Sequence, residues 1–335
     1  MMKSVIVAQV KNSFGYIPAF IAHHQRLVDE IILIDHNSER QLSGLAREGV
    51  RTFKISADFF AQELFAAYFL KKLDLRKQFD FLFLLDVDEF LPFRSKDELS
   101  EFMDQNKEVA VTSMNWRNGF PPSPNALTGS ETLYFTTWRS STKKLIYNLR
   151  KLGDILPIMG NHNAKYPLAD SLLLQLRPKR RDSDLGLLHI PFLGLDGLRQ
   201  KLSDFPSQSY GDKIARDLKA LGIERGPTDK NFDLSDEELM TFVANYRTKA
   251  SDIRRDISRA SFEEVDILQG LAEEISRLAV VLAQCPVAST PPMYVGEEEV
   301  AQRLRKNRVF IHRRLARAFG LQEDGTYAFN LPSRV

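Results

Sequence analysis

The chain has only one cysteine, Cys285, among 335 residues. That excludes an internal disulfide and any zinc or iron–sulfur site built on several cysteines. Long apolar runs are also missing, and nothing approaches the ~18–20 residues that span a bilayer. Met1 to Val7 leads into a strand-like segment without the apolar core or cleavage site of a secretory leader. The expectation is a reducing, cytoplasmic setting. Glycine (17) and proline (15) are too sparse for a collagen-like or low-complexity chain. Net charge is nearly absent at +2, but the sum hides a division, because from Val300 onward eight basic residues face two acidic ones. The tail is basic and the body mildly acidic, so an anionic partner is expected for the tail alone. With 43% hydrophobic and 27% charged residues, the body is globular, and its length suits two domains or one large α/β domain with an appendage.

In the first half, strand-like and helix-like segments alternate. Val5 to Val10 is a short apolar run. Ile17, Phe20, Ile21, His24, Leu27 and Val28 then recur at helical spacing, with Pro18 where a first turn accepts it. Ile31 to Asp35 reads as a buried parallel strand closed by His36-Asn37-Ser38, and Val50 to Ile55 as a weaker strand. Phe59 to Leu73 reads as a helix, Phe79 to Leu85 as the most apolar strand, and Val109 to Trp116 as another strand. Such an order implies βαβ crossovers and a mostly parallel sheet flanked by helices, with ligands beyond the carboxyl ends of the strands. Asn118 to Gly129 reads as a long loop. Farther on, Phe262 to Leu282 reads as one amphipathic helix, and about Glu297 to Phe319 as a last helix.

The sharpest feature is Asp86-Val87-Asp88, followed by Glu89, at the end of the most apolar strand. Acidic groups there cost solvation unless a cation or other partner offsets it. Oxygen ligands of this kind suit Mg²⁺ or Mn²⁺, held by few carboxylates together with substrate phosphates. An Asp-x-Asp alone is a weak signal; the buried strand before it is what gives it weight.

Taken with Lys11-Asn12-Ser13, Asp35-His36-Asn37-Ser38, Gln62, Asn115-Trp116, Lys144-Leu145-Ile146, and Leu188-His189-Ile190-Pro191 followed by Lys201, this motif carries a family resemblance. Over about residues 3 to 205 the chain resembles GT-A-type glycosyltransferases of the family 2 / family 92-like group, which have an Asp-Val-Asp-Glu-Phe motif. It departs from their pattern at Ser13 and Ala19, where glutamates are usual, at Arg40, where an aspartate is common, and in Trp116-Arg117-Asn118-Gly119-Phe120.

The resemblance implies a GT-A-like α/β fold that binds a nucleotide-sugar, with a UDP-sugar as the expected donor. The base would lie near Val10, Asn12, Asp35 and Asn37, and Asp86 would approach the ribose. Asp88 would hold Mn²⁺ or Mg²⁺, which acts as a Lewis acid on the diphosphate. His189 is the first choice as second protein ligand, and His162 ranks next as a metal or substrate contact. Lys144 is a candidate diphosphate contact. An inverting transfer to a hydroxyl acceptor needs a carboxylate base, for which Glu89, Asp170 and Glu131 are the candidates. Trp116 reads as a sugar-stacking or core aromatic, His24 as a packed core histidine and His23 as exposed.

Residues 1–215 would form the catalytic domain and 235–320 a helical region ending in a basic amphipathic helix. Between Ala301 and Phe319 seven basic residues interleave with Leu304, Val309, Ile311 and Leu315, with no acidic residue. That pattern fits peripheral attachment to an anionic membrane surface, such as the inner face of the plasma membrane. A glycan or glycolipid acceptor in bacterial surface glycan assembly (lipopolysaccharide or capsule) suits that placement. Nucleic acid is the weaker partner, since the body is acidic. The competing classes are a haloacid-dehalogenase-type phosphatase, a nucleotidyltransferase and an inactive sugar-nucleotide-binding module. The first two lack their expected residues after Asp88 and near Lys11, whereas Ser13 and Ala19 are what favour the third.

Overall fold

The computed structural model describes residues 2–56, 65–66, 69–70, 72–120, 126–137, 139–153, 155–157, 159–168, 171–175, 177–191, 193, 262–287, 319–321 and 326–329. Its centre is four parallel strands in the order β3-β2-β1-β4: β1 (Ser4–Val10), β2 (Glu30–His36), β3 (Val50–Ser56) and β4 (Phe81–Leu84). These strands read as continuous apolar runs because both of their faces are covered. Along β1, Ile6, Ala8 and Val10 join one core while Val5 and Val7 join the other, the alternation that a strand imposes. Helix α1 (Ile17–Gln25) makes the crossover from β1 to β2, with Pro18 in its first turn where no amide donor is needed.

The chain leaves β1 on one side to build β2 and β3, then returns to the other side for β4. The order reverses between β1 and β4, and the carboxyl ends of these two strands open a crevice where ligands bind in such sheets. A short helix α2 (Leu75–Gln78) precedes β4. After it come β5 (Glu89–Phe90), helix α3 (Lys96–Gln105), β6 (Val111–Phe120), β7 (Tyr134–Thr136) and β8 (Lys143–Asn148). Antiparallel to both neighbours, β8 lies between β4 and β6. Two small ribbons follow, β9 (Leu156–Pro157) with β10 (Ala164–Lys165) and β11 (Pro167–Leu168) with β12 (Ser171–Gln175). β13 (Arg180–His189) then runs parallel to β6, and its last two residues pair antiparallel with β5.

Later in the chain, β14 (Phe262–Glu264) pairs with β7, and helix α4 (Ala272–Gln284) packs on α1. β15 (Phe319–Leu321) and β16 (Thr326–Phe329) form a hairpin whose second strand runs parallel to β3. The α/β architecture with a mostly parallel mixed sheet and flanking helices is therefore the one expected, and it is consistent with a GT-A-like fold.

Three local expectations change. Asn118 to Phe120 belong to β6 rather than to a loop, because they pair with β13 and β7. The span Phe262 to Leu282 is not one helix: Gly270, at φ 74°, makes a left-handed turn, and the helix starts only at Ala272. Phe319 starts a strand rather than ending a helix, while the rest of the basic segment from 297 lies outside the described residues, as do Gln62 and Lys201. Among the described residues no helix is long and apolar enough to cross a membrane.

Candidate functional site

At the carboxyl ends of β1 and β2 the backbone turns through two left-handed asparagines, Asn12 (φ 51°) and Asn37 (φ 56°), a conformation that asparagine tolerates better than most residues. Asn12 knits the two turns together. Its amide donates to Ser38 Oγ at 3.1 Å, and its Oδ1 accepts from the Glu39 amide at 2.7 Å. Asp35, 2% exposed, is taken up by its own turn: Oδ1 accepts from the Ser38 amide (2.9 Å) and Oδ2 from the Leu42 amide (3.4 Å). Burial raises its pKa. Val10 is likewise buried at the end of β1.

One strand away, the acidic loop follows β4. The Asp86 amide donates to Glu89 Oε2 at 2.9 Å and the Glu89 amide to the Asp86 carbonyl at 3.0 Å, closing a tight turn. Lys144, brought in by β8, is 1% exposed, and its ammonium lies 2.6 Å from Asp86 Oδ2 and 3.2 Å from Glu89 Oε2. Burial pulls the lysine down, but the two carboxylates override it and hold Lys144 above the usual lysine range. Glu89 has no exposed surface, and burial lifts it to about 8 against the opposing pull of Lys144. Behind this loop Asn161 ties β4 to β8, donating to the Leu84 and Leu145 carbonyls at 3.0 Å each. Gly160 (φ 74°) and Asn161 (φ 53°) then turn the chain to present His162.

β13 brings the last component. His189 stands opposite Asn118 of β6 on one side and Glu89 of β5 on the other, and the Ile190 amide donates to the Asp88 carbonyl at 2.8 Å. His189 Nε2 lies 3.7 Å from Asp88 Oδ2, and Nδ1 lies 2.8 Å from Asn118 Oδ1. Trp116 stacks on the His189 ring with centroids 4.0 Å apart and planes 18° apart, and the His162 ring meets Trp116 edge-on at 5.3 Å. His162 Nδ1 is 2.7 Å from the Lys143 carbonyl, and burial lowers the pKa of this ring. Glu89 Oε1 and Trp116 Nε1 are buried without a hydrogen-bond partner among the described residues.

The fold thus gathers Asp86, Asp88, Glu89, Lys144, His162 and His189 at one end of the sheet, beside the turns that carry Asn12, Asp35 and Asn37. Glu131 is taken up by its own loop, accepting from the Thr128 amide (2.7 Å) and the Gly129 amide (2.9 Å). Asp170 lies outside the described residues. Lys144 is enclosed by its two carboxylates instead of open to a diphosphate. His23, read as exposed, is fully buried: its Nε2 donates to the Leu91 carbonyl at 2.8 Å while His24 Nε2 accepts the Leu91 amide at 3.1 Å. The two histidines therefore hold both sides of the peptide just after the acidic loop. Asn118 has no signal in the sequence beyond its place in the Trp116 segment. A groove of about 340 Å³ between α1 and α4, with Phe14, Pro18, Leu127 and Ile275 in its walls, shares no residue with the cluster.

Among the described residues no three His, Cys, Asp or Glu side chains are gathered to hold a metal by themselves. Asp88 and His189 offer two donors, a carboxylate oxygen and a ring nitrogen whose opposite nitrogen is anchored, which is the usual arrangement around a ligating histidine. That pair fits a divalent cation that takes its remaining ligands from substrate phosphates and water.

No family model matches the chain, and no curated protein matches it. Among solved structures it is similar to a glycosyltransferase, GlyE, of Streptococcus pneumoniae, with 13% identity and a TM-score of 0.29 over 87% of this chain and 66% of that one. It is also similar to a mannose-1-phosphate geranyltransferase from Thermus thermophilus, with 12% identity and a TM-score of 0.26 over 44% of this chain and 50% of that one. The chain thus spans half of one of these two proteins and about two thirds of the other.

Proposed function

We propose that the chain is a glycosyltransferase that moves a sugar from a nucleotide-sugar to a hydroxyl acceptor on a GT-A-like domain. The carrying observation is the Asp88–His189 pair at 3.7 Å, beside Asp86, at the crevice where the strand order reverses. The nucleoside would lie across the ends of β1 and β2, against the turns of Asn12 and Asn37. Asp86, with Oδ2 held by Lys144 and its side chain 36% exposed, is oriented to accept from ribose hydroxyls. Asp88 and His189 would hold Mn²⁺ or Mg²⁺, which when bound neutralises charge developing on the leaving diphosphate.

Lys144 works from behind the site, as a fixed counter-charge that keeps the Asp86 turn in place. Glu89 closes that turn and is too enclosed to reach an acceptor hydroxyl. Glu131 is committed to its own loop, so Asp170 is the remaining carboxylate for the base of an inverting displacement. A UDP-sugar donor, a glycan or glycolipid acceptor of surface glycan assembly, and attachment of the basic tail to an anionic membrane complete the proposal, supported by the family resemblance and the tail's charge.

The test is a thermal-shift series with UDP, GDP, CMP and their sugar conjugates, with and without Mn²⁺, on the wild type and Asp88→Asn. A ligand at 100 times its Kd stabilises by about 2.7 kcal/mol. We expect one nucleotide family to raise Tm only with Mn²⁺, and Asp88→Asn to lose the shift while keeping its ligand-free Tm. No shift with any nucleotide and metal would overturn the proposal.

A further inference from the structure

We infer that Asn118 and Trp116 are positioning residues that present one nitrogen of His189 toward Asp88, Asn118 by fixing which nitrogen carries the proton and Trp116 by fixing the plane of the ring. The inference rests on the cation-assisted reading above and extends it to two residues that touch neither the nucleotide nor the cation.

A neutral imidazole has one N–H, and an amide oxygen only accepts. With Asn118 Oδ1 at 2.8 Å, His189 Nδ1 is the donor, and in the neutral ring Nε2 then carries the lone pair. That lone pair faces a carboxylate oxygen, Asp88 Oδ2, at 3.7 Å. Both atoms can then donate to one divalent cation held between them. The gap is narrower than the roughly 4.2 Å spanned by two ligand bonds of ~2.1 Å, so one ion can touch both.

Strand geometry explains why these two residues do it. Asn118 is 1% exposed and sits directly opposite His189 on the neighbouring parallel strand. Trp116 lies two residues earlier on β6, hence on the same face, where its indole covers the ring at 4.0 Å. Gly119 lets the Phe135 ring close over the strand, because any Cβ there would collide with it. The end of β6 is pinned, and the amide of Asn118 with it.

The experiment uses the full chain with ¹⁵N-labelled histidine. Nitrogen NMR reads the tautomer of His189, and electron paramagnetic resonance of free Mn²⁺ reads the affinity. The variants are Asn118→Leu, which has similar size but no acceptor, Asn118→Asp, which restores an acceptor, and Trp116→Leu. In the wild type His189 is expected to carry its proton on Nδ1. Asn118→Leu should lose that preference and bind Mn²⁺ about 10- to 100-fold more weakly, the usual range for loss of such a partner. Asn118→Asp should restore most of the affinity, and Trp116→Leu should weaken it while leaving the tautomer unchanged. A wild-type proton on Nε2, or unchanged Mn²⁺ affinity in Asn118→Leu, overturns the inference and leaves the transferase reading standing. A wild type that binds no Mn²⁺, with or without nucleotide, overturns the cation-assisted reading and this inference together.

Discussion

Lys144 holds a full charge with almost no water around it, 1% exposed between Asp86 and Glu89. Removing one partner of a buried charge set typically costs about 3–5 kcal/mol, because the remaining charges stay behind uncompensated. Lys144→Met should therefore lower the free energy of unfolding in urea by about that much, and adding Glu89→Gln should recover part of the loss. Equal stability of Lys144→Met and wild type would show that the turn does not depend on the ammonium. The sequence marks Lys144 as part of the site, but its burial depends on pairing between β8 and β4, a contact that local pattern does not encode. Asp35 shows the same difficulty. A carboxylate at a strand end looks free to meet a ligand until the turn's own amides are seen to occupy it. Asn118 is invisible in the sequence for a related reason, since its meaning lies in its register with His189 on a distant strand.

Within single elements the sequence is far more legible. β1, β2 and β3 fall within a residue of their apolar patterns, and α1 starts where its pattern does but ends three residues before Val28, because period and length suffice for buried strands and a covered helix better than for its last turn. Phe262 to Leu282 misleads because Val265, Leu268 and Leu271 match a helical spacing by coincidence; Leu268 is buried from a turn instead. Helix α3 has a clear start, with Ser95 Oγ accepting from the Glu98 amide at 3.3 Å, and Ser95→Ala should cost about 1 kcal/mol in thermal unfolding.

Helix α1 does more than cover the sheet, since His23 and His24 hold the peptide of Leu91. Burial lowers His23 to about 4, helped by Arg26, and lowers His24 well below the usual histidine range, helped by the neighbouring His23. Both rings are therefore neutral in the folded protein, whereas unfolded histidines take up protons near 6.5. Their contribution to stability is complete above pH 6.5 and declines as pH falls toward 4. For His23 alone the loss reaches about 3 kcal/mol once pH is below about 4. Unfolding free energies measured from pH 8 to 4 should fall accordingly, and His23→Gln should flatten the slope. An unchanged slope in that variant would show that His23 is not what makes the fold acid-sensitive.

For the whole molecule, one sheet serves both cores, and the reversal of strand order puts the crevice at the ends of its most buried strands. The parallel half is legible because continuous apolar strands need cover on both faces. The insertion of β8 between β4 and β6 is not, because it joins segments about sixty residues apart in the chain. Amide hydrogen exchange should be slowest in β1, β2 and β4, which lie inside the sheet with both faces buried. The proposed role for the basic tail has its own readout. Cosedimentation with anionic vesicles should occur at low salt, fall steeply near 1 M salt and disappear with neutral lipid.

The bulge in β13 has a practical consequence. Ser183, Asp184 and Leu185 stand against Met114 alone, between the pairs Asp182–Ser113 and Gly186–Asn115. That surplus is slack. Chain length can change there, by losing one or two residues or by gaining several, while the Gly186 to His189 stretch keeps its own pairing with β6 and β5. The bulge insulates the imidazole from whatever happens upstream. It is therefore the natural place to graft a fluorophore-bearing loop upstream of His189 without moving that residue.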